Sequence, residues 1–101
     1  MNTKSLPMAD IQQITELLNV KVFQLNECDA VAAFSLEEAK GWYMKETGLN
    51  AKEAFYDYEA EEVPLNTMIW EDEVKTNEIP VSQILEEWWS GKPFIAISYD
   101  C

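Results

Sequence analysis

Apolar and polar positions recur along the chain with two different periods, and these periods predict the order of its helices and strands. Residues 8–18 carry apolar side chains three and four positions apart, which is typical of an amphipathic helix. Residues 20–27 and 29–35 are instead rich in β-branched and other apolar residues, and a turn around residues 26–29 joins them. The two runs predict an antiparallel hairpin that follows the first helix.

The segment from Ser35 to Gly48 carries the clearest helix signals in the sequence. Ser35 suits the N-cap, Glu38 completes a capping box, and Gly48 is well placed to end the helix in a left-handed conformation. Gly41 lies inside the helix, where glycine costs up to about 1 kcal/mol relative to alanine, so we expect it to pack closely against another part of the backbone. The predicted inner face comprises Leu36, Ala39, Tyr43 and Met44.

A second capped helix is predicted from Ala51, because Asn50 suits the N-cap and Glu53 stands at the capping-box position. Its predicted inner face comprises Ala51, Ala54, Phe55 and Tyr58. If this helix continued to Glu62, acidic residues three and four positions apart would stack, and each like-charged pair would cost about 0.2–0.5 kcal/mol. The helix therefore either ends by about Tyr58 or retains these acids near its C-terminus in spite of the unfavourable dipole.

The last third of the chain predicts a segment that is either a strand or a loop, then a helix, then a further strand. If residues 67–74 are the first of these strands, Met68 and Trp70 share one face. Residues 80–90 form the helix. The predicted inner face of this helix comprises Val81, Ile84, Leu85 and Trp88. Residues 92–99 form the second strand, which we expect at the centre of the sheet because both of its faces carry apolar residues.

Together these elements predict an α+β fold, in which a small and mainly antiparallel sheet has helices packed on one face, in the order α-β-β-α-α-(β)-α-β, where the strand in parentheses is the one that residues 67–74 form if they are not a loop. A chain of 101 residues without a Gly/Ser-rich or Pro-rich linker is expected to form a single domain over residues 1–101. An apolar content of 48% that includes many aromatic residues is typical of a globular protein rather than a disordered one.

The charge of the chain is strongly one-sided. Nineteen Asp and Glu residues against seven lysines give a formal net charge of −12, and the sequence contains neither arginine nor histidine. Such a charge repels nucleic acids and anionic membranes and attracts basic surfaces. We therefore expect a basic protein as partner, with no direct binding of nucleic acid or membrane. The alternative is that the acidity only keeps the protein soluble.

The residue types that most catalytic and cofactor sites need are missing from the sequence. Without histidine there is no imidazole acid or base and no histidine-ligated zinc, and without arginine there is no bidentate clamp for phosphate. The glycines are isolated, so there is no phosphate-binding loop, and the acidic stretches lack the spacing of a calcium loop. We therefore expect no enzymatic activity, no cofactor and no metal site.

The two cysteines, Cys28 and Cys101, are far apart in the sequence and follow no metal-binding spacing. The N-terminal residues lack the apolar centre of a signal peptide, and no apolar run approaches the roughly 20 residues that a membrane span needs. These features favour a cytoplasmic protein whose thiols are reduced.

Two acidic segments in the middle of the chain are the candidate partner-binding surface. They comprise Glu59, Glu61, Glu62, Glu71, Asp72 and Glu73. In an extended strand Glu71 and Glu73 share one face about 6.6 Å apart, from a rise of about 3.3 Å per residue. This spacing resembles the repeat of phosphates along a nucleic-acid backbone. The alternative is an ordinary solvated face.

Two tryptophans complete the candidate surface. Trp70 directly precedes the second acidic segment, and Trp89 lies about 100° around the last helix from Trp88. We therefore expect Trp88 in the core and Trp89 on a flank or in solvent. An exposed aromatic ring beside charged residues is typical of a binding hot spot. The alternative for Trp70 and Trp89 is that they cover the edge of the core.

The segment SLEEAKGWYMKETGL, from Ser35 to Leu49, is the most distinctive part of a wider likeness. From about Val20 to Asp100 the chain resembles a set of small acidic proteins encoded by phages, prophages and plasmids of Gram-positive bacteria. The motif is a capped helix and its end, so the resemblance implies a fold and a setting but no functional residues. Mobile elements carry many short acidic proteins that block host defence nucleases, such as anti-CRISPR and anti-restriction proteins, and some of these imitate DNA.

The charge and the resemblance together predict a non-enzymatic binding module of a mobile element that docks on a basic host protein. In its most specific form the module inhibits a nuclease or CRISPR effector as a DNA mimic. Two alternatives remain open, namely a structural or assembly protein that forms a homo-oligomer and an immunity protein against a basic toxin. We expect a monomer or a dimer.

Overall fold

The computed structural model describes residues 16–70 and 77–99 of the chain. In chain order its elements are β1 (Lys21–Gln24), β2 (Asp29–Ala33), α1 (Leu36–Thr47), α2 (Ala51–Phe55), β3 (Glu61–Val63), β4 (Met68–Trp70), β5 (Glu78–Pro80), α3 (Val81–Trp88) and β6 (Phe94–Ser98). The helix predicted over residues 8–18 lies almost entirely outside the described residues, which begin with the helical residues Glu16 and Leu17.

The described strands form two antiparallel sheets. Four strands pair in the order β3-β1-β2-β6, and β4 pairs separately with β5. The predicted hairpin is confirmed, because β1 and β2 are antiparallel neighbours with Val22 opposite Ala32. The predicted α+β class and the mainly antiparallel sheet are confirmed as well.

Helices cover both faces of the β3-β1-β2-β6 sheet, so the expectation that they pack on one face was wrong. Consecutive residues of a strand point to opposite faces. In β2, Ala30 and Ala32 enter one core cluster, whereas Val31 and Ala33 enter the other. The first cluster is shared with α3 and the second with α1 and α2. Because β2 is buried on both faces, its sequence is almost continuously apolar.

The strand β6 lies at the outside of the described sheet, whereas the sequence predicted a central position. Its register with β2 shifts between Ala30 and Val31, where a bulge interrupts the pairing. Phe94 and Ile97 contact the core, but Ile95, which pairs with Val31 on the other face, is 41% exposed. One face of β6 is therefore buried and the other is partly exposed, although both carry apolar residues.

The predicted ends of α1 are confirmed. Ser35 Oγ accepts a hydrogen bond from Glu38 N at 3.1 Å, and Gly48 ends the helix with a φ of 74°. The carboxylate of Glu38 accepts a hydrogen bond from Phe34 N at 2.7 Å, one residue before the N-cap. The expectation for Gly41 was wrong, since among the described residues no other part of the chain comes within 4 Å of the position that a Cβ would occupy.

Two short strands were not predicted from the sequence. The strand β3 pairs with β1, because α2 ends at Phe55 and the chain then returns to the sheet in extended form. The strand β5 pairs with β4. Each strand has only 3 residues, which is too short to display a clear alternation. The strand predicted over residues 67–74 is confirmed for residues 68–70, and residues 71–74 lie outside the described part of the chain.

Candidate functional site

The first predicted acidic segment lies on and beside β3, and it does not form one row of charges. Glu59, Glu61 and Glu62 are all exposed. Glu62 pairs with Phe23 and Glu61 with Gln24, so the two glutamates point to opposite faces of the sheet. Glu62 lies 3.9 Å from Lys21 in an exposed ion pair, and such pairs contribute only about 0–1 kcal/mol.

The second predicted segment begins at Trp70, which is 47% exposed at the end of β4. Met68 lies on the same side of the strand and is 50% exposed, so the face predicted for these two side chains is confirmed. Glu71, Asp72 and Glu73 lie outside the described residues. Their spacing along a strand, and the prediction that they form one surface with Glu61 and Glu62, stay predictions.

The positions predicted for Trp88 and Trp89 are exchanged. Trp88 is 68% exposed, whereas Trp89 is 3% exposed and enters the core. The helix α3 ends at Trp88, and Trp89 has the extended angles φ −68° and ψ 124°, so its side chain does not follow the helical progression. Its indole packs edge-on against Phe34 with ring centroids 5.3 Å apart, and its Nε1 donates to Glu16 Oε1 at 2.8 Å. Trp89 therefore does not belong to an exposed surface.

A cavity that the sequence did not predict opens between the β1–β2 turn, α1 and the end of α2. Its volume is about 710 Å³. The lining comprises Asn26, Glu27, Cys28, Asp29, Tyr43, Leu49, Glu53, Ala54, Phe55, Tyr56, Asp57 and Tyr58. Four of these residues are aromatic and four are acidic, and no lysine occurs among them. We refer to this feature as the aromatic–acidic cavity.

The wall of the cavity is built by an abrupt end of α2. The helix begins with the predicted capping box, in which Asn50 Oδ1 accepts from Glu53 N at 2.8 Å and Glu53 Oε1 accepts from Asn50 N at 3.2 Å. It ends at Phe55, and the C-cap residue Tyr56 has φ 50° and ψ −129°. Tyr58 N then donates to Phe55 O at 2.8 Å. This turn directs Tyr56, Asp57 and Tyr58 to the cavity, and it confirms that the helix ends before the run of acids.

Asn26 holds the opposite wall in place. Its side chain is 8% exposed and all of its hydrogen-bonding capacity is used. The Nδ2 atom donates to Tyr43 Oη at 3.1 Å and to Ala54 O at 2.8 Å. The Oδ1 atom accepts from Cys28 N and from Asp29 N, each at 2.8 Å. One side chain thus joins the β1–β2 turn to both α1 and α2.

The pKa is raised for Tyr43, which lines the cavity, and for Tyr99, which is hydrogen-bonded to the lining residue Cys28. Burial raises the pKa of Tyr43, and the hydrogen bond that its hydroxyl donates to Asp29 at 2.5 Å raises it further. Burial and the nearby Tyr58 also raise the pKa of Tyr99, whose N donates to Cys28 O at 2.7 Å. Neutral rings beside carboxylates form a surface that attracts cations.

Cys28 in the cavity lining is disulfide-bonded, so the expectation of reduced thiols was wrong. The sequence contains one other cysteine, Cys101, which lies outside the described residues. Spacing in the sequence did not reveal this bond, because the chain distance between two cysteines says little about their distance in a fold.

The part of the chain that the structure describes contains neither a cluster of metal ligands nor a membrane-spanning helix. No group of three or more Cys, Asp and Glu side chains is arranged there to hold a metal ion. No helix within residues 16–70 and 77–99 has the length and apolarity to cross a membrane.

Comparison with models of protein families, with curated proteins and with solved structures gave no match to this chain. The site is therefore defined by its own geometry, which is that of a concave surface of aromatic rings and carboxylates. The sequence signal that could have revealed it is the run from Phe55 to Tyr58, in which three aromatic residues surround one acid.

Proposed function

We propose that this chain is a non-enzymatic binding module of a mobile element, which docks on a basic protein. In the most specific form of the proposal, it inhibits a nuclease or CRISPR effector by occupying the site where nucleic acid binds. The resemblance to small acidic proteins of phages, prophages and plasmids supports the setting, and the charge of the chain supports the class of partner.

The observation that carries the proposal is the aromatic–acidic cavity in a chain with a net charge of −12. Four carboxylates meet there without a lysine among the described lining residues. Concave sites with aromatic walls and a few convergent polar groups are the usual form of binding sites. Since the converging groups are acidic, the complementary partner is cationic, and the long-range field of the chain speeds the encounter with such a partner.

The sites where proteins bind nucleic acid are cationic, as the partner of this chain is expected to be. They are rich in lysine and arginine because they neutralise phosphates. A chain that presents carboxylates to such a site would exclude DNA or RNA from it by competition for the same basic residues. The exposed glutamates on and beside β3 add negative charge to the same molecule, although they do not form one row.

The test begins with capture of host proteins on the immobilised chain from a nuclease-treated lysate of a Gram-positive bacterium. The retained protein is then purified, and its affinity is measured by calorimetry at several salt concentrations. We expect the affinity to fall steeply between low and physiological salt, and a DNA duplex to compete for the same protein. Affinity that does not depend on salt contradicts charge-driven docking, and simultaneous binding of DNA contradicts the inhibitory form.

Charge-matched variants locate the contact. One variant carries Glu61→Gln and Glu62→Gln on β3, and a control carries Glu86→Gln and Glu87→Gln on α3, where both residues are also exposed. A further variant neutralises the predicted acids of residues 71–73. A loss confined to the β3 variant or the 71–73 variant supports the predicted segments. An equal loss in the α3 control assigns the effect to net charge alone.

Assembly into a homo-oligomer is the second candidate function, and exposed apolar residues favour it. The outer strand β6 carries Ile95 at 41% exposure, and Trp88 on α3 is 68% exposed. Strands with an unpaired edge can pair with a second copy of the same chain. Light scattering separates the candidates, because a concentration-dependent oligomer that persists in high salt supports assembly, and a monomer or dimer supports the acidic module.

The cytoplasm is the site of action that a nucleic-acid-binding partner requires. The disulfide of Cys28 opposes this location, because cytosolic reductants keep most thiols reduced. Alkylation of free thiols at the moment of cell lysis shows whether Cys28 is reduced, as the cytoplasm favours, or disulfide-bonded. Full alkylation of Cys28 fits the cytoplasm, and protection of Cys28 contradicts it.

A further inference from the structure

We infer that the aromatic–acidic cavity is a socket for an arginine side chain on the partner. The inference deepens the proposed function and depends on it for the identity of the partner as a basic protein. It assigns the chemical group that the cavity takes, namely a guanidinium ion carried on an exposed peptide segment.

The first argument is the supply of free carboxylates. Asp29 is engaged on both oxygens, which accept from Tyr43 Oη and, at 3.3 Å, from Ser98 Oγ. Glu53 is engaged in the capping box. Among the described residues, no hydrogen bond or ion pair engages the carboxylates of Glu27 and Asp57. These two groups line the cavity and can each accept hydrogen bonds from a ligand.

The second argument is the arrangement of aromatic rings. Phe55 already has a cation on one side, since Lys40 Nζ lies 5.3 Å from its ring centroid. This contact is itself a cation–π interaction of the kind that the cavity would make with a ligand. Tyr56 and Tyr58 have no aromatic or cationic contact of this kind among the described residues, and both line the cavity beside Asp57. A ligand cation can therefore meet a ring and a free carboxylate together.

The third argument distinguishes guanidinium from ammonium. A guanidinium group is planar and weakly hydrated, so it stacks on a ring while it donates two parallel hydrogen bonds to one carboxylate. An ammonium group is a compact and strongly hydrated charge that gains less from such a site. The cavity volume of about 710 Å³ exceeds that of one side chain, so it also accommodates residues that flank the arginine.

The fourth argument is that the walls are held in place before any ligand binds. The four hydrogen bonds of Asn26 join the turn that carries Glu27 to the helices that carry Tyr43 and Ala54. A ligand that enters a fixed site loses less binding free energy to ordering of the protein.

The test uses three short peptides of the form acetyl-Gly-Xaa-Gly-amide, in which Xaa is arginine, lysine or citrulline. Citrulline has nearly the shape of arginine but carries no charge. Each peptide is titrated into the isotopically labelled full chain, and backbone amide shifts are followed by NMR. We expect saturable shifts at residues 26–29 and 53–58 with the arginine peptide, at least about tenfold weaker binding of the citrulline peptide, and several-fold weaker binding of the lysine peptide.

Three outcomes overturn the inference. They are the absence of saturable shifts at the cavity with the arginine peptide, equal binding of the citrulline peptide, and equal binding of the lysine peptide. Any of them rules out a socket that selects arginine but leaves the proposed function open, because carboxylates attract a basic partner without selecting one kind of cationic side chain. The opposite result is also distinguishable. If the arginine peptide binds specifically at the cavity but the affinity for the captured basic protein does not depend on salt, the arginine site is supported and the proposed function is refuted.

A matched pair of variants completes the test. Asp57→Asn removes a free carboxylate from the cavity, and Glu86→Gln makes the same change of charge on α3, outside both the cavity and the predicted acidic segments. We expect Asp57→Asn to weaken the arginine peptide about tenfold without changing the citrulline peptide, and Glu86→Gln to leave both unchanged. Both side chains are exposed, so both variants should fold, and far-UV circular dichroism verifies this. An equal effect of the two variants contradicts a site at Asp57.

Discussion

Replacement of Asn26 by alanine tests whether the β1–β2 turn and the helices α1 and α2 form one cooperative unit. Asn26 is the one buried polar residue in the described part of the chain. Its two donor bonds reach residues 17 and 28 positions away, Tyr43 and Ala54. Asn26→Ala removes both of them, together with the two bonds that Oδ1 accepts from the turn.

The expected loss of unfolding free energy in Asn26→Ala depends on which groups lose their hydrogen-bond partner. Ala54 O loses a buried hydrogen bond, and an unsatisfied buried group costs about 1–3 kcal/mol. Cys28 N and Asp29 N are only partly buried and recover some hydration, so we assign about 0.5 kcal/mol to each. Tyr43 Oη keeps its bond to Asp29. The sum is about 2–4 kcal/mol of unfolding free energy.

Urea unfolding, followed by circular dichroism and tryptophan fluorescence, measures this loss. The midpoint should fall while the slope of free energy against urea stays unchanged, because the surface exposed on unfolding is nearly the same. In a domain of this size the melting temperature should fall by about 10–25 °C. Asn66→Ala is the matched control, since Asn66 is exposed in a turn, and its effect should stay within about 0.5 kcal/mol.

The reasoning is refuted if Asn26→Ala changes the unfolding free energy by no more than the Asn66→Ala control does. It is also refuted if only the circular dichroism or only the fluorescence transition moves, because the described unit would then not unfold cooperatively. A double-mutant cycle with Tyr43→Phe isolates the bond between Asn26 and Tyr43, for which we expect a coupling of about 0.5–1.5 kcal/mol.

Three further predictions concern stability. Trp89→Ala should cost about 3–5 kcal/mol by emptying a core position, and Trp88→Ala should change stability by no more than about 0.5 kcal/mol, as measured by urea unfolding. Gly48→Ala should cost about 1–2 kcal/mol because its φ of 74° is left-handed, whereas Gly41→Ala should add about 0.5–1 kcal/mol in an open helical position. The folded protein binds the Tyr43 proton more tightly than the unfolded chain does, because the pKa of Tyr43 is raised from its ordinary value of 10.0. The contribution of Tyr43 to the free energy of unfolding should therefore be fully present below pH 10.0 and be lost as the pH rises through the raised pKa. Tyr43→Phe should reduce that alkaline loss in melting curves measured against pH.

Each of these predictions has an opposite outcome that contradicts it. Equal effects at Trp88 and Trp89 would place the end of α3 elsewhere. Destabilisation by Gly41→Ala would restore the close packing expected from the sequence. An alkaline loss that is the same in Tyr43→Phe and in the wild type would assign the loss to other tyrosines, such as Tyr99.

The helices were predictable because their signals are local. Ser35 and Gly48 mark the two ends of α1, and Asn50 with Glu53 marks the start of α2, each through contacts within four residues. The hairpin was equally accessible, because β1 and β2 are joined by a short turn. Each of these features depends on residues that are close together in the chain, so it can be predicted without knowledge of the fold.

The strands β3 and β5 and the environment of the two tryptophans were not predictable in the same way. A strand of 3 residues is defined by its partner, and β3 becomes a strand only by pairing with β1 some 40 positions earlier. The exchange of Trp88 and Trp89 follows from a helix that ends at Trp88, before Gly91. The predicted helix ran to residue 90, and a difference of two residues in its end is enough to reverse which of the two side chains is buried.

The site shows the same division between local and distant causes. The aromatic and acidic residues from Phe55 to Tyr58 could be recognised from the sequence, but their role as a cavity wall could not. That role depends on the turn at Tyr56 and on hydrogen bonds from Asn26, which lies 28 positions before Ala54. The predicted acids of β3 were individually exposed, yet strand geometry separates Glu61 from Glu62.

The surplus of acids predicts that salt acts with opposite signs on the free chain and on its complex. Seven lysines cannot neutralise 19 acids, so the folded chain repels itself, and screening by salt should raise its melting temperature. The same screening should weaken binding of a basic partner or of the arginine peptide. Apolar assembly through Ile95 or Trp88 would instead be insensitive to salt or strengthened by it. Melting curves and binding isotherms over one series of sodium chloride concentrations measure both effects, and equal signs would contradict the acidic binding module.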